Sequence, residues 1–86
     1  MDNWYVYMVR CADGSLYTGI AKNVDKRIDE HNNNNVLAAK YTRARRPVVM
    51  VYQQALDSRS AAARREYEIK AMTKEKKEAI ILKRNG

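Results

Sequence analysis

Between Trp4 and Cys11 the chain reads WYVYMVRC, aromatic and β-branched residues with little polar interruption, which predicts a first strand. Asp13-Gly14 is a turn signal, and LYTGIA over 16–21 predicts a second strand, so the two make a β-hairpin. The spacing of apolar positions then changes from strand-like to helical. Val24 and Ile28 lie about one helical turn apart, Asn23 is placed to cap them, and a helix over 24–32 is expected. Four asparagines at 32–35 favour a loop, and KYTRARRP over 40–47 reads as an exposed basic loop. VVMVYQQA (48–55) predicts a third strand, short and apolar enough to lie centrally in a sheet. A helix over 59–71 begins near Ser58 or Ser60, and Thr73 can cap a last helix whose Ala79, Ile80 and Leu82 would dock on the body. The expected order is β-β-α-β-α-α, an α+β domain with a small three-stranded antiparallel sheet flanked by helices.

Hairpin register decides which tyrosines share a face. A strict two-residue Asp13-Gly14 turn pairs residues whose numbers sum to 27, and sends Tyr7 and Tyr17 to opposite faces. One extra loop residue raises the sum to 28 and puts them on the same face. That bulged register also gathers Val6, Met8, Leu16 and Ile20 on the other face as a coherent core, so it is the expected one. Gly19 would then lie beside the tyrosines, its missing side chain admitting a substrate or another backbone.

Length and composition narrow the class. The 86 residues make a single domain over 1–86, and 45% hydrophobic content suits a globular fold. One cysteine, Cys11, forbids an internal disulfide and fits a reducing compartment. No basic segment followed by a long apolar one opens the chain, and the longest apolar run, PVVMVY, is too short to cross a bilayer. A soluble cytoplasmic protein without membrane association is expected. Lysine and arginine number 17 against 10 acidic residues, a formal charge of +7. Such an excess favours a polyanionic partner, most often nucleic acid, though charge alone leaves a merely soluble basic protein equally open.

Two features bear on chemistry. Arg27 and His31 lie four residues apart, on one helical face beside Val24 and Ile28. Glu66 falls on the stripe of Ala62 and Ile69, which belongs to the packing face of its helix. A carboxylate there must be paired, for example with Arg27, or must bind a metal. With one histidine and no cysteine cluster, a structural zinc site is not expected.

The ordered set YVY (5–7), YTG (17–19), AKNVDKR ending in Arg27 and AAARRE ending in Glu66 resembles the GIY-YIG endonuclease domain. That domain occurs in homing endonucleases, in an excision-repair nuclease subunit and in branched-DNA endonucleases. RIDEHN followed by KYTRARRPVVMVY is most similar to the branched-DNA nucleases and to small stand-alone bacterial members. Tyr5 stands at the name-giving glycine, Val6 at the following isoleucine and Thr18 at the central isoleucine of the second motif. The resemblance implies a divalent-metal-dependent endonuclease that hydrolyses phosphodiester bonds in DNA, in repair or in processing branched or flapped strands. Under it Glu66 would hold one Mg²⁺ or Mn²⁺ ion and Arg27 would clamp the scissile phosphate. Tyr7 would receive the water's proton if nearby cations favour its phenolate, with Tyr17 orienting water or phosphate. His31 is the alternative base, or a phosphate ligand. Lys40, Arg43, Arg45 and Arg46 would grip the DNA backbone without reading bases; RNA is not excluded. A non-catalytic nucleic-acid-binding module, or an adaptor to a larger repair protein, would use the same fold.

Overall fold

Four consecutive residues, Val6 to Val9, are buried, which requires cover on both faces of one strand. That strand, β1 (Trp4–Arg10), is the centre of the sheet, with β2 (Leu16–Ala21) and β3 (Val49–Leu56) antiparallel on either side. The computed structural model describes residues 3–85, so Met1, Asp2 and Gly86 of the expected domain lie outside the described residues. β3 is therefore an edge strand, not the central one expected: within it only Tyr52 is buried. The helices are α1 (Val24–Asn33), the one-turn α2 (Lys40–Arg43) inside the basic loop, α3 (Arg59–Lys70) and α4 (Lys74–Asn85). Apart from α2, the order matches the expected β-β-α-β-α-α. Caps act where the sequence places them: Asn23 accepts from Lys26 N at 3.0 Å, Ser58 from Ala61 N at 3.0 Å and Thr73 from Lys76 N at 3.2 Å.

The hairpin keeps the expected faces in a register two residues away. Tyr7 faces Gly19 and Val9 faces Tyr17. Gly14, at φ 85°, is the cause: its amide donates to Cys11 O at 2.9 Å, and Cys11 N donates to Ser15 O at 2.8 Å. The loop is Ala12-Asp13-Gly14, with glycine in the left-handed position that closes such turns. A shift by an even number of residues leaves each side chain on its face.

Two cores result. Tyr7, Val9, Cys11, Ala21, Val24 and Val48 form one beneath α1, joined by Tyr17 and Ile28. Val6, Met8, Tyr52, Ile69 and Ile81 form the other beneath α3 and α4, joined by Leu16 and Ile20 as expected. α4 docks differently from the expectation. Ile81 is buried and Ile80 partly so, whereas Ala79 is exposed and Leu82 is 71% exposed. Ile81 packs with Ile69, Val6 and Met8, and Arg10 holds Glu78 through two bonds of 2.9 and 2.6 Å that fit this rotation of the helix. Among the described residues no helix is long and apolar enough to cross a membrane.

Candidate active site

Gly19 is where the site begins. A Cβ built on it would stand 2.6 Å from Tyr7 Oη and 2.8 Å from Tyr7 Cζ, so the phenol lies across the glycine. The room left by the missing side chain is taken by Tyr7 itself, rather than by a substrate or another backbone. Tyr7 is 1% exposed, and its hydroxyl meets Nε2 of the fully buried His31 at 2.8 Å. On its other side His31 Nδ1 meets Thr42 Oγ1 at 2.7 Å, and that hydroxyl donates its only proton to Ala39 O at 3.0 Å. Thr42 can therefore only accept from His31, which puts the imidazole proton on Nδ1. The lone pair on Nε2 is left to receive the Tyr7 O–H.

Ionisation agrees with that assignment. Burial, followed by the nearby Arg27 cation, pushes His31 down to about 4, so the ring is neutral near pH 7. Burial also dominates at Tyr7, which is pushed up to about 12. The Tyr17 and Glu66 side chains add to the rise and Arg27 opposes it. A Tyr7 base was conditional on nearby cations favouring its phenolate; desolvation outweighs Arg27 here, and Tyr7 rests as a phenol.

The remaining residues gather around this pair. Tyr17 shares its face and meets the His31 ring edge-on, with centroids 5.4 Å apart. Tyr41 stacks on Tyr17 at 6.0 Å, and the Arg45 guanidinium covers Tyr41 at 3.8 Å. Arg27, about one turn before His31, donates to Glu30 Oε1 and to Leu37 O, both at 2.8 Å. It also lies close enough to Tyr7 to lower the phenol's pKa. Glu66 comes from α3 with 24% of its side chain exposed, and its charge too is felt at Tyr7. Its ion-pair partner is Lys70 on the same helix, at 3.4 Å, and not Arg27. Tyr7, Tyr17, Arg27 and His31 are thus neighbours, with Glu66 near enough for its charge to act on Tyr7.

The basic loop is more occupied than its sequence suggests. Arg46 donates to His31 O at 2.6 Å, Asn35 Oδ1 at 2.8 Å and Asn34 O at 3.1 Å. Arg43 donates to Asn35 O at 2.7 Å, while Arg45 bonds Tyr41 O at 3.0 Å and pairs with Asp13 at 3.2 Å. Of the four expected phosphate-gripping residues, Lys40 alone makes no hydrogen bond or ion pair among the described residues. Thr42 and Tyr41 are the members of the site that sequence reasoning missed. Neither carries a spacing signal, since both arrive through the irregular segment after α1.

Among the described residues no three His, Cys, Asp or Glu side chains group to hold a metal. One carboxylate at a partly exposed position fits a hard cation that keeps most of its waters, such as Mg²⁺, and does not fit zinc. Surface hollows of about 310, 320 and 420 Å³ lie elsewhere, beside Lys22, Met50 and Lys83 respectively, and the tyrosine cluster lines none of them.

Comparison with known proteins gives a consistent result. The GIY-YIG catalytic domain family matches residues 3–79. A UPF0213 protein of Staphylococcus saprophyticus is 54% identical over 81 residues, covering 94% of this chain and 96% of the relative. One of Staphylococcus aureus is 51% identical over 84 residues, 98% of this chain and 100% of the relative. Among solved structures, the UPF0213 protein of Bacillus halodurans superposes with a TM-score of 0.62 at 43% identity, over 98% of this chain and 87% of that one. A protein from E. faecalis does so at 0.65 and 32% identity, over 99% and 88%.

Proposed function

This chain belongs to the GIY-YIG family, and we propose that it is a divalent-metal-dependent endonuclease hydrolysing phosphodiester bonds in DNA. The observation that carries the reading is the Tyr7 hydroxyl aimed at the free Nε2 of a neutral His31, with Arg27 and Glu66 beside it. Arg27 anchors the scissile phosphate through its planar guanidinium. Glu66 would hold one Mg²⁺ or Mn²⁺ ion, which when bound supplies positive charge at the phosphate and lowers the cost of charge building there. The attacking water gives its proton to Tyr7 Oη as Tyr7 passes its own to His31 Nε2. Oxygen from that water bonds to phosphorus, the ester oxygen leaves with the bond's electron pair, and solvent protonates it. Because the two transfers are concerted, a buried phenolate need not accumulate. An incoming phosphate also offsets the Arg27 charge that disfavours an imidazolium. Tyr17, edge-on to His31, positions the water. Lys40 and its neighbours add backbone affinity. DNA repair in a reducing cytoplasm suits the free, buried Cys11.

The test is nicking of flapped, single-stranded and duplex DNA by purified protein with Mg²⁺. Glu66→Ala and Arg27→Ala are expected to abolish cleavage with the circular dichroism spectrum unchanged. Cutting by both variants at the wild-type rate overturns the proposal. A second reading, a binding module without turnover, is favoured by the internal partners that already engage Arg27 and Glu66. Salt-dependent binding with no cleavage under any divalent ion would select it.

A further inference from the structure

Along β3 the chain reads VMVYQQAL, without a charge, a proline or a glycine, and Val49 is 61% exposed. Strands at the rim of a sheet are ordinarily guarded by lysine, proline or a covering segment, because their outer amides and carbonyls can pair with another chain. β3 lies at such a rim and pairs with β1 on one side only. One guard is present. Met8 pairs with Tyr52 and Val9 with Met50, which makes Val51 an extra, bulged residue. Residues 52–56 still keep an uninterrupted register.

Two hollows adjoin this rim. One, of about 320 Å³, is lined by Met50, Val51, Tyr52, Gln53 and Arg84. Gln53 stands opposite Tyr7 and Tyr52 opposite Met8, so their side chains belong to different faces of the sheet. A hollow touched from both faces of one strand lies at that strand's edge. The second, of about 420 Å³, shares Tyr52 and Arg84 and adds Arg65, Ile80 and Lys83. Together the linings combine apolar side chains with three cations, and no carboxylate lines either hollow. Arg65 is engaged by Gln54 at 3.1 Å and Glu68 at 3.0 Å. Lys83 and Arg84 are exposed and enter no ion pair among the described residues.

We propose that this edge is a docking site for a partner protein, which adds an extended acidic segment as a fourth strand beside β3. Main-chain bonds to β3 would supply affinity, and the apolar lining would take alternate side chains of the segment. Lys83 and Arg84 would select carboxylates on it. A nucleic acid would meet the cations but has no repeating amide and carbonyl to pair with the strand. A second copy of this +7 chain would set like charges against one another. The proposal is independent of the nuclease reading, because the Tyr7 cluster lines neither hollow.

The test is a titration of the full ¹⁵N-labelled chain with short synthetic peptides. The probe peptide alternates glutamate with valine. One control carries lysine for glutamate; another has two adjacent central residues replaced by proline, so that either side of the strand loses an amide. The glutamate peptide should shift the amides of 49–56 and of the end of α4, and slow hydrogen exchange along β3. Affinity should fall about tenfold for either control peptide. It should fall as far for protein carrying Lys83→Glu and Arg84→Glu, exposed positions whose substitution circular dichroism checks for folding. Absence of any shift with the glutamate peptide overturns the proposal. Equal binding of the proline peptide does so too, since charge alone would then explain the attraction. Displacement of the peptide by a single-stranded oligonucleotide that shifts the same β3 amides would make nucleic acid the occupant. A dimer of the free protein that the double variant breaks would make it a second copy, and either result overturns the proposal.

Discussion

Thr42 is a small residue with a specific consequence. Its hydroxyl spends its proton on Ala39 O, so it can only accept from His31 and thereby selects the imidazole tautomer. Thr42→Val keeps the shape, removes that acceptor and frees the tautomer, so nicking should fall about tenfold or more, while Thr42→Ser restores it. The ¹⁵N shifts of His31 should report a proton on Nδ1 in the wild type and a mixture in the valine variant; identical spectra would refute this. His31 also makes stability depend on pH. Its folded value lies near 4, below the ordinary 6.5, so between those values the unfolded chain binds the extra proton. This contribution is fully present above about 6.5 and is lost as pH falls towards about 4. Thermal melting should drop across that window, and the part due to this group should vanish in His31→Gln. Tyr7, Tyr17, Arg27 and His31 were legible because strand alternation and helical spacing put them on predictable faces. Thr42 was not: it reaches His31 across an irregular loop that has no period to read. Gly19 was singled out for the space beside it, but only coordinates show Tyr7 filling that space.

Apart from the one-turn α2, which falls in the segment expected to be a loop, elements were read correctly in kind and order, less well in orientation. Ala79, Ile80, Ile81 and Leu82 are four consecutive apolar residues, and such a run points all round a helix. Which of them dock depends on partners distant in sequence, here the cluster of Val6, Met8 and Ile69 together with Arg10, which grips Glu78. The outcome separates two neighbouring substitutions. Ile81→Ala should cost about 2–5 kcal/mol, as for a core residue, and Leu82→Ala within about 0.5 kcal/mol. Urea denaturation of both variants measures this, and comparable losses would show that α4 docks on another face. β3 was misplaced for a related reason. Its apolar run suggested a central strand, but cover on both faces falls on β1, which lies beneath α1 on one side and beneath α3 and α4 on the other.

At the scale of the whole molecule, net charge is a poor guide to which cations can meet a nucleic acid. A +7 chain with four basic residues in one loop reads as a phosphate grip. Yet Arg46 is committed to three acceptors that bind the end of α1 to the following turn, and Arg45 is shared between Asp13 and Tyr41. Lys40 is exposed and uncommitted among the described residues. The two ends of this loop should therefore fail differently. Lys40→Ala should leave the melting temperature within about 1 °C, weaken DNA binding, and lower the slope of log affinity against log salt by about 0.9, the signature of one phosphate contact. Arg46→Ala should lower the melting temperature by several degrees, because three carbonyl and amide oxygens lose a charged donor. It would weaken DNA binding mainly through that loosened turn. If Arg46→Ala leaves melting unchanged and removes a full unit of salt slope, this arginine faces the DNA in solution. The loop would then be the uniform grip that its sequence suggests.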